Sequence, residues 1–94
     1  MKHYIIVKFK EECNKNELTG PIRDLFQGVL NVPGVHTVQV KPNCVDRSNR
    51  YDLMIEIGMD PEALERYDAC ETHHQWKETY GELLRSKTIF DSDD

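Results

Sequence analysis

Tyr51-Asp52-Leu53-Met54-Ile55-Glu56-Ile57-Gly58-Met59-Asp60-Pro61 sets the architecture. Tyr51, Leu53, Ile55, Ile57 and Met59 alternate with Asp52, Met54, Glu56 and Gly58. A period of two puts the first set on one face of a strand and the second on the other. One face is buried and the other mixed. Asp60-Pro61 then supplies an N-cap residue and a first-turn proline, so a helix follows the strand directly.

Upstream, Pro42 to Arg50 is a polar loop, preceded by a strand over Val35 to Lys41. Before it, Leu18, Ile22, Leu25, Phe26, Val29 and Leu30 recur at helical spacing, which predicts a helix from about Lys15 to Val32. Asn14 with Glu17 resembles a capping pair. Gly20-Pro21 leaves a second start open, near Pro21 with Thr19 as cap, because proline is tolerated in a first turn. Pro33-Gly34 closes the helix. Tyr4 to Lys10 is apolar and β-branched and reads as the first strand. Downstream, Trp76, Tyr80, Leu83 and Leu84 lie on one face of a further helical segment, and Lys87 to Asp91 forms a short last strand. Ser92-Asp93-Asp94 reads as an acidic tail. The order β-α-β-β-α-β is the α+β, ferredoxin-like pattern: a four-stranded antiparallel sheet with helices on one face. The other face then needs cover, and a second copy of the chain is the economical answer.

Ninety-four residues make one domain, 1–94, ordered over about 2–91. Hydrophobic residues are 38% and charged residues 31%, the balance of a small globular domain. Seventeen acidic against twelve basic residues give a net charge of −5, which opposes a phosphate backbone, so nucleic acid is not an expected partner. No apolar run is long enough to span a membrane. Charge at Lys2 and Lys8 interrupts the N-terminus too early for a signal peptide. Cys13, Cys44 and Cys70 are odd in number and widely spaced; as free thiols they fit a reducing cytoplasm.

Lys2-His3-Tyr4-Ile5-Ile6-Val7-Lys8-Phe9-Lys10, Val32-Pro33-Gly34-Val35 and Tyr51-Asp52-Leu53-Met54-Ile55-Glu56-Ile57 together resemble the stress-responsive A/B-barrel (Dabb) family. Leu64-Glu65-Arg66-Tyr67 followed by His73 is similar to that family's Tyr-x-x-His-Pro-x-His segment, with Cys70-Glu71 standing where His-Pro is common. The resemblance runs over about residues 2 to 91. It implies a homodimeric α/β barrel with a pocket between sheet and helices in each protomer. It also implies a small-molecule ligand, since family members include stress-associated proteins and a few polyketide cyclases.

Candidate chemistry gathers around the same segment. Thr72 with Gln75 fits a capping box, which makes Thr72 the N-cap and His73 the first helical residue. The positive end of the helix dipole disfavours imidazolium there, leaving the neutral form that a general base needs. Tyr67 is placed to donate to a carbonyl or forming enolate. In one unbroken helix, Tyr67 and His73 would project about 240° apart. They converge only if the helix breaks near Cys70 to Thr72. His3 matches the family's N-terminal histidine and is expected, with Cys70 and Trp76, in the pocket wall. His74 projects about 100° from His73 and faces solvent; adjacent histidines do not chelate. His36 is expected to be structural or exposed.

The loop Asn43 to Arg50 lacks the order of a calcium site, and zinc ligands would have to come from distant segments, so no metal is expected. No phosphate-binding Gly-rich loop supports a nucleotide, and no cofactor is expected. Arg47 and Arg50 are solvated loop residues. Three functions remain: a binding module without turnover, a cofactor-free enolising enzyme with His73 as base and Tyr67 as oxyanion donor, and an oxygen-using or haem-related enzyme on a similar barrel.

Overall fold

Alternation along the first strand organises the molecule. In β1 (Lys2–Phe9) every second residue is buried: His3, Ile5, Val7 and Phe9. The computed structural model describes residues 1–93. β1 is followed by α1 (Lys15–Phe26), β2 (Val35–Pro42), β3 (Leu53–Met59), α2 (Leu64–Asp68), α3 (Glu71–Tyr80) and β4 (Leu84–Ser92). Short 3-10 turns join α1 to β2 over Gln27–Asn31, enter α2 over Pro61–Ala63 and leave α3 over Gly81–Leu83. The four strands form one antiparallel sheet in the order β2-β3-β1-β4. This is the ferredoxin-like α+β fold.

The helices cover one face of the sheet. Ile5, Val7, Leu53, Ile55 and Ile57 meet Ile22 and Phe26 of α1, Val29, Tyr67 of α2 and Trp76 of α3 in one core. Phe26 and Trp76 join α1 to α3 edge-on, with ring centroids 5.3 Å apart at 71°. The opposite face carries Tyr4, Ile6, Met54 and Phe90, with Glu56 among them opposite Tyr4 and Lys2 near the end of β1. Tyr4 and Phe90 are neighbours in register, with centroids 6.1 Å apart. Phe90 is 59% exposed in the single chain.

α1 resolves the two possible starts in favour of Lys15. Asn14 is extended and its side chain accepts from the Asn16 N–H at 3.2 Å. Pro21 lies inside the helix and removes one donor. Packing overrides that loss: Leu18 reaches the core from the first turns, and Arg23 donates to the Val40 carbonyl at 2.9 Å. At the end of this segment Gly34 turns with φ +92°, a region that favours glycine, and a Cβ there would stand 2.8 Å from that of Ala63.

Several boundaries differ from the sequence reading: β1 runs from Lys2 to Phe9 rather than from Tyr4 to Lys10, and α1 gives way after Phe26 to the 3-10 turn Gln27–Asn31 instead of running to Val32. β3 starts at Leu53, because the Asp52 carboxylate turns aside to accept from the Phe9 N–H at 2.9 Å and from Lys15 at 3.3 Å. The last strand is longer than Lys87 to Asp91. It pairs with β1 from Phe9↔Leu84 to Lys2↔Ser92, so Leu84 belongs to the strand and Leu83 to the preceding turn, not to the helix face of Trp76. β4 is an edge strand left exposed on both faces, so its polar residues carry no alternation. Of the acidic tail, Ser92 is therefore in the sheet, and Asp94 lies outside the described residues. Asp60 and Pro61 do begin a helical segment, but the Asp60 side chain makes no cap; it meets His36 Nε2 at 3.0 Å on the surface.

Candidate functional site

The site is built on the break between α2 and α3. α2 ends at Asp68, and Cys70 is extended (φ −77°, ψ 160°) before α3 starts at Glu71. The break swings His73 back over Tyr67: their ring centroids are 5.0 Å apart, edge-on at 65°. On its other side Tyr67 meets His3 of β1, with centroids 5.3 Å apart. The fold thus brings three of the expected residues into one row, His3-Tyr67-His73.

The capping expectation fails in its detail. Thr72 is not the N-cap. Cys70 is, its Sγ accepting from the His73 N–H at 3.4 Å, and His73 is the third helical residue. Thr72 is buried, and its Oγ1 occupies the space a Cβ on Gly28 would fill, 2.3 Å away. A side chain committed to that contact is not free to cap. Gln75 donates to Glu71 at 3.1 Å, one turn back, rather than reaching the cap.

Tyr67 is completely buried, and its hydroxyl has no hydrogen-bond partner among the described residues. Burial holds its pKa well above that of a free phenol, with the nearby Cys70 and Asp68 acting in the same sense. The hydroxyl is therefore a neutral donor. A buried unsatisfied hydroxyl costs about 1–3 kcal/mol. Burial lowers the pKa of His73, against the opposing pull of a hydrogen bond to the Asp68 backbone and of the Asp68 charge; Lys77 and Lys87 add to the lowering. The imidazole is neutral at pH 7 and able to accept a proton.

Sequence reading missed Asp91. Its Oδ1 lies 2.6 Å from Nδ1 of His3, and the histidine is 7% exposed. A carboxylate held on one ring nitrogen fixes the tautomer and orientation of the imidazole. The clue was non-local: His3 and Asp91 sit directly opposite each other in the β1–β4 register.

The other candidates fall outside the row. Trp76 is buried against Phe26 and Tyr80 and shows one edge to a cleft beside β4. Cys70 is half-buried and reaches the surface next to His73. His74 faces solvent and pairs with Glu78 at 3.1 Å. Cys13, Cys44 and Cys70 are free thiols. Among the described residues no three His, Cys, Asp or Glu side chains gather into a metal-binding group, and no helix is long and apolar enough to cross a membrane.

The sequence matches no protein-family model and no curated protein. Solved structures do match over its whole length. A dimeric protein of unknown function and ferredoxin-like fold from Bacteroides fragilis superposes with a TM-score of 0.82 at 11% identity, covering 99% of this chain and 94% of that one. A dimeric ferredoxin-like protein of unknown function from a Jannaschia species gives 0.77 at 18% identity, covering 99% and 97%. A protein from Bacteroides thetaiotaomicron described as a candidate antibiotic biosynthesis monooxygenase gives 0.75 at 15% identity, covering 100% and 88%. At these identities the likeness is one of fold.

Proposed function

We propose that this chain is a cytoplasmic homodimer of the stress-responsive A/B-barrel type that binds a small, largely apolar molecule through a carbonyl group. The observation that carries the reading is the Tyr67 hydroxyl. It is a buried, neutral donor with no partner among the described residues, and it is flanked by two imidazoles. A ligand carbonyl oxygen satisfies that donor and removes its cost. The helix-side residues of the neighbouring edge strand β4, Lys87, Ile89 and Asp91, remain exposed, and Lys87 acts on the His73 imidazole. The homodimer is supported by the apolar residues Tyr4, Ile6, Met54 and Phe90 on the open sheet face and by the dimeric solved structures of the same fold.

A second reading adds turnover without a cofactor, and the neutral, half-buried imidazole of His73 favours it. His73 removes a proton from the carbon next to the carbonyl. The C–H electron pair becomes the enolate C=C bond and the carbonyl π pair moves onto oxygen, where Tyr67 donates to it. The proton held by His73 returns to the enolate carbon or, where that carbon closes a ring onto a second carbonyl of the ligand, passes to the alkoxide oxygen that the closure forms. His3, held by Asp91, positions Tyr67 from the other side.

Native mass spectrometry of the purified protein, with the released molecule identified after denaturation, tests the binding reading. We expect a dimer carrying a carbonyl compound that Tyr67→Phe no longer retains. A monomer, or full retention by Tyr67→Phe, overturns it. Turnover is then tested by exchange of the protons next to that carbonyl with deuterium: His73→Ala must abolish exchange while binding persists.

A further inference from the structure

We infer that the chain has a second small-molecule site, on the sheet face away from Tyr67, and that it takes an organic carboxylate with a compact apolar body. The site is a cleft of about 300 Å³ between the open sheet face and the loop that joins β2 to β3. Ile6 and Met54, which stand opposite each other in the β1–β3 register, give it an apolar base. Lys41 continues that row on β2, where it is opposite Met54. The Tyr51 side chain flanks the row. It comes from just before β3 and reaches past β1 to β4, where its hydroxyl meets Thr88 Oγ1 at 2.8 Å; Thr88 in turn stands opposite Ile6. Asn43 and Cys44 line the cleft from the loop, and Arg50 adds a second cation.

Charge decides the class of ligand. The lining holds two cations and no acidic residue, in a chain whose net charge is −5. Lys41 forms no ion pair or hydrogen bond among the described residues, whereas Lys2, Lys15 and Arg85 each have an acidic neighbour. Arg50, expected from the sequence to be solvated, is half-buried; its guanidinium donates to Asn49 Oδ1 at 2.7 Å and to no carboxylate. Partial burial strips water from that guanidinium, and a bound carboxylate restores the lost hydrogen bonds. The acidic groups of the region do not neutralise the pair. Glu56, in the next row of the open face, stands by Lys2. Asp52 is taken by the Phe9 N–H and Lys15. Asp46 of the loop does not line the cleft and forms no ion pair with either cation. The neutral polar groups of the lining are already matched, the Tyr51 hydroxyl by Thr88 and the Asn43 amide by Val45. What the cleft lacks is thus a negative charge over its apolar base. Its volume is at the lower end for a small-molecule pocket, which suits a body of one or two rings.

2-Naphthoate and 2-naphthamide are the probes. They share the rings and differ in the charge. Binding is followed by NMR titration of the whole protein, reading the Met54 methyl and the Tyr51 ring signals. We expect both signals to move, and the acid to bind about tenfold more tightly than the amide, with a preference that shrinks in added salt. Lys41→Gln/Arg50→Gln is expected to equalise the two probes. Lys41 is exposed, and the Arg50 group that holds Lys8 is its backbone carbonyl, so the double variant leaves the fold intact. If the amide moves Met54 and Tyr51 at the same concentration as the acid, the cleft does not select an anion and the inference is wrong. Were the double variant to keep the preference for the acid, Lys41 and Arg50 would not be the receptor and the inference would fall. If neither probe moves the two signals, the cleft is closed in the assembled protein, filled by a second copy of the chain, and the inference is overturned. The carbonyl site at Tyr67 lies on the other face of the sheet and stands or falls separately.

Discussion

The Tyr67 and His73 rings touch edge-on, 5.0 Å apart, although they stand in different helices. A continuous helix would turn them about 240° away from each other. The two-residue break at Ala69 and Cys70 is thus what creates the site. It places a buried neutral donor beside a neutral imidazole, and each of the following expectations depends on that arrangement or on the faces that frame it.

Tyr67→Phe removes a hydroxyl that satisfies nothing within the described chain. The ligand-free protein is expected to gain up to about 1 kcal/mol, seen as a rise of roughly 4–8 °C in Tm for a domain of this size. Ligand retention is expected to disappear at the same time. A fall in Tm of several degrees in differential scanning calorimetry would show that the hydroxyl has a structural partner.

His73 is expected to titrate below the usual histidine range, because burial penalises its charged form. The sign for stability follows. Above the unfolded value of about 6.5 the imidazole is neutral in both states and contributes nothing. As pH falls below that value the unfolded chain takes up the proton first, so stability declines until the folded-state pKa is passed. His73→Gln should flatten this part of the profile. Lys87→Gln should raise the His73 pKa, since the lysine charge lowers it. Histidine C–H chemical shifts against pH read both; an unchanged pKa in Lys87→Gln would separate the lysine from the site.

Gly28→Ala brings a Cβ to 2.3 Å from Thr72 Oγ1, and Thr72 is buried. Overpacking of this kind costs about 1–3 kcal/mol. Thr72→Ala empties the contested space, so the double variant should recover much of the loss. Urea denaturation of the four proteins gives the coupling energy. Strict additivity would mean that α3 does not pack here on the 3-10 turn.

Phe90→Asp places a charge on the open sheet face at its β4 edge, where Phe90 neighbours Tyr4. In the proposed homodimer that face is buried, and an unpaired charge there is costly. Sedimentation equilibrium should give a dimer for the native chain and a monomer for the variant, with unchanged far-UV circular dichroism. A dimeric variant would move the interface elsewhere.

Much of this is legible in local sequence. The period-two runs of β1 and β3 name their buried residues, and their order with the helical stripe of Ile22, Phe26 and Val29 is enough for the ferredoxin-like topology. The break before His73 is legible too, through the clash between a helical reading and a capping pattern. Its details are not: Cys70 caps, because Thr72 is committed to Gly28 on another element.

What the sequence by itself determined is therefore what repeats along the chain: which strands have a buried face, that helical segments follow β1 and β3, and that Tyr67 and His73 share a segment. Only the tertiary structure decided what depends on pairing distant segments. The β1–β4 register carries β4 to Leu84 and Ser92, sets Asp91 against His3 and brings Lys87 across from Lys77. An edge strand exposed on both faces has no hydrophobic period to announce it. A contact between residues 3 and 91 is chosen by the free energy of the whole sheet, which no local pattern encodes.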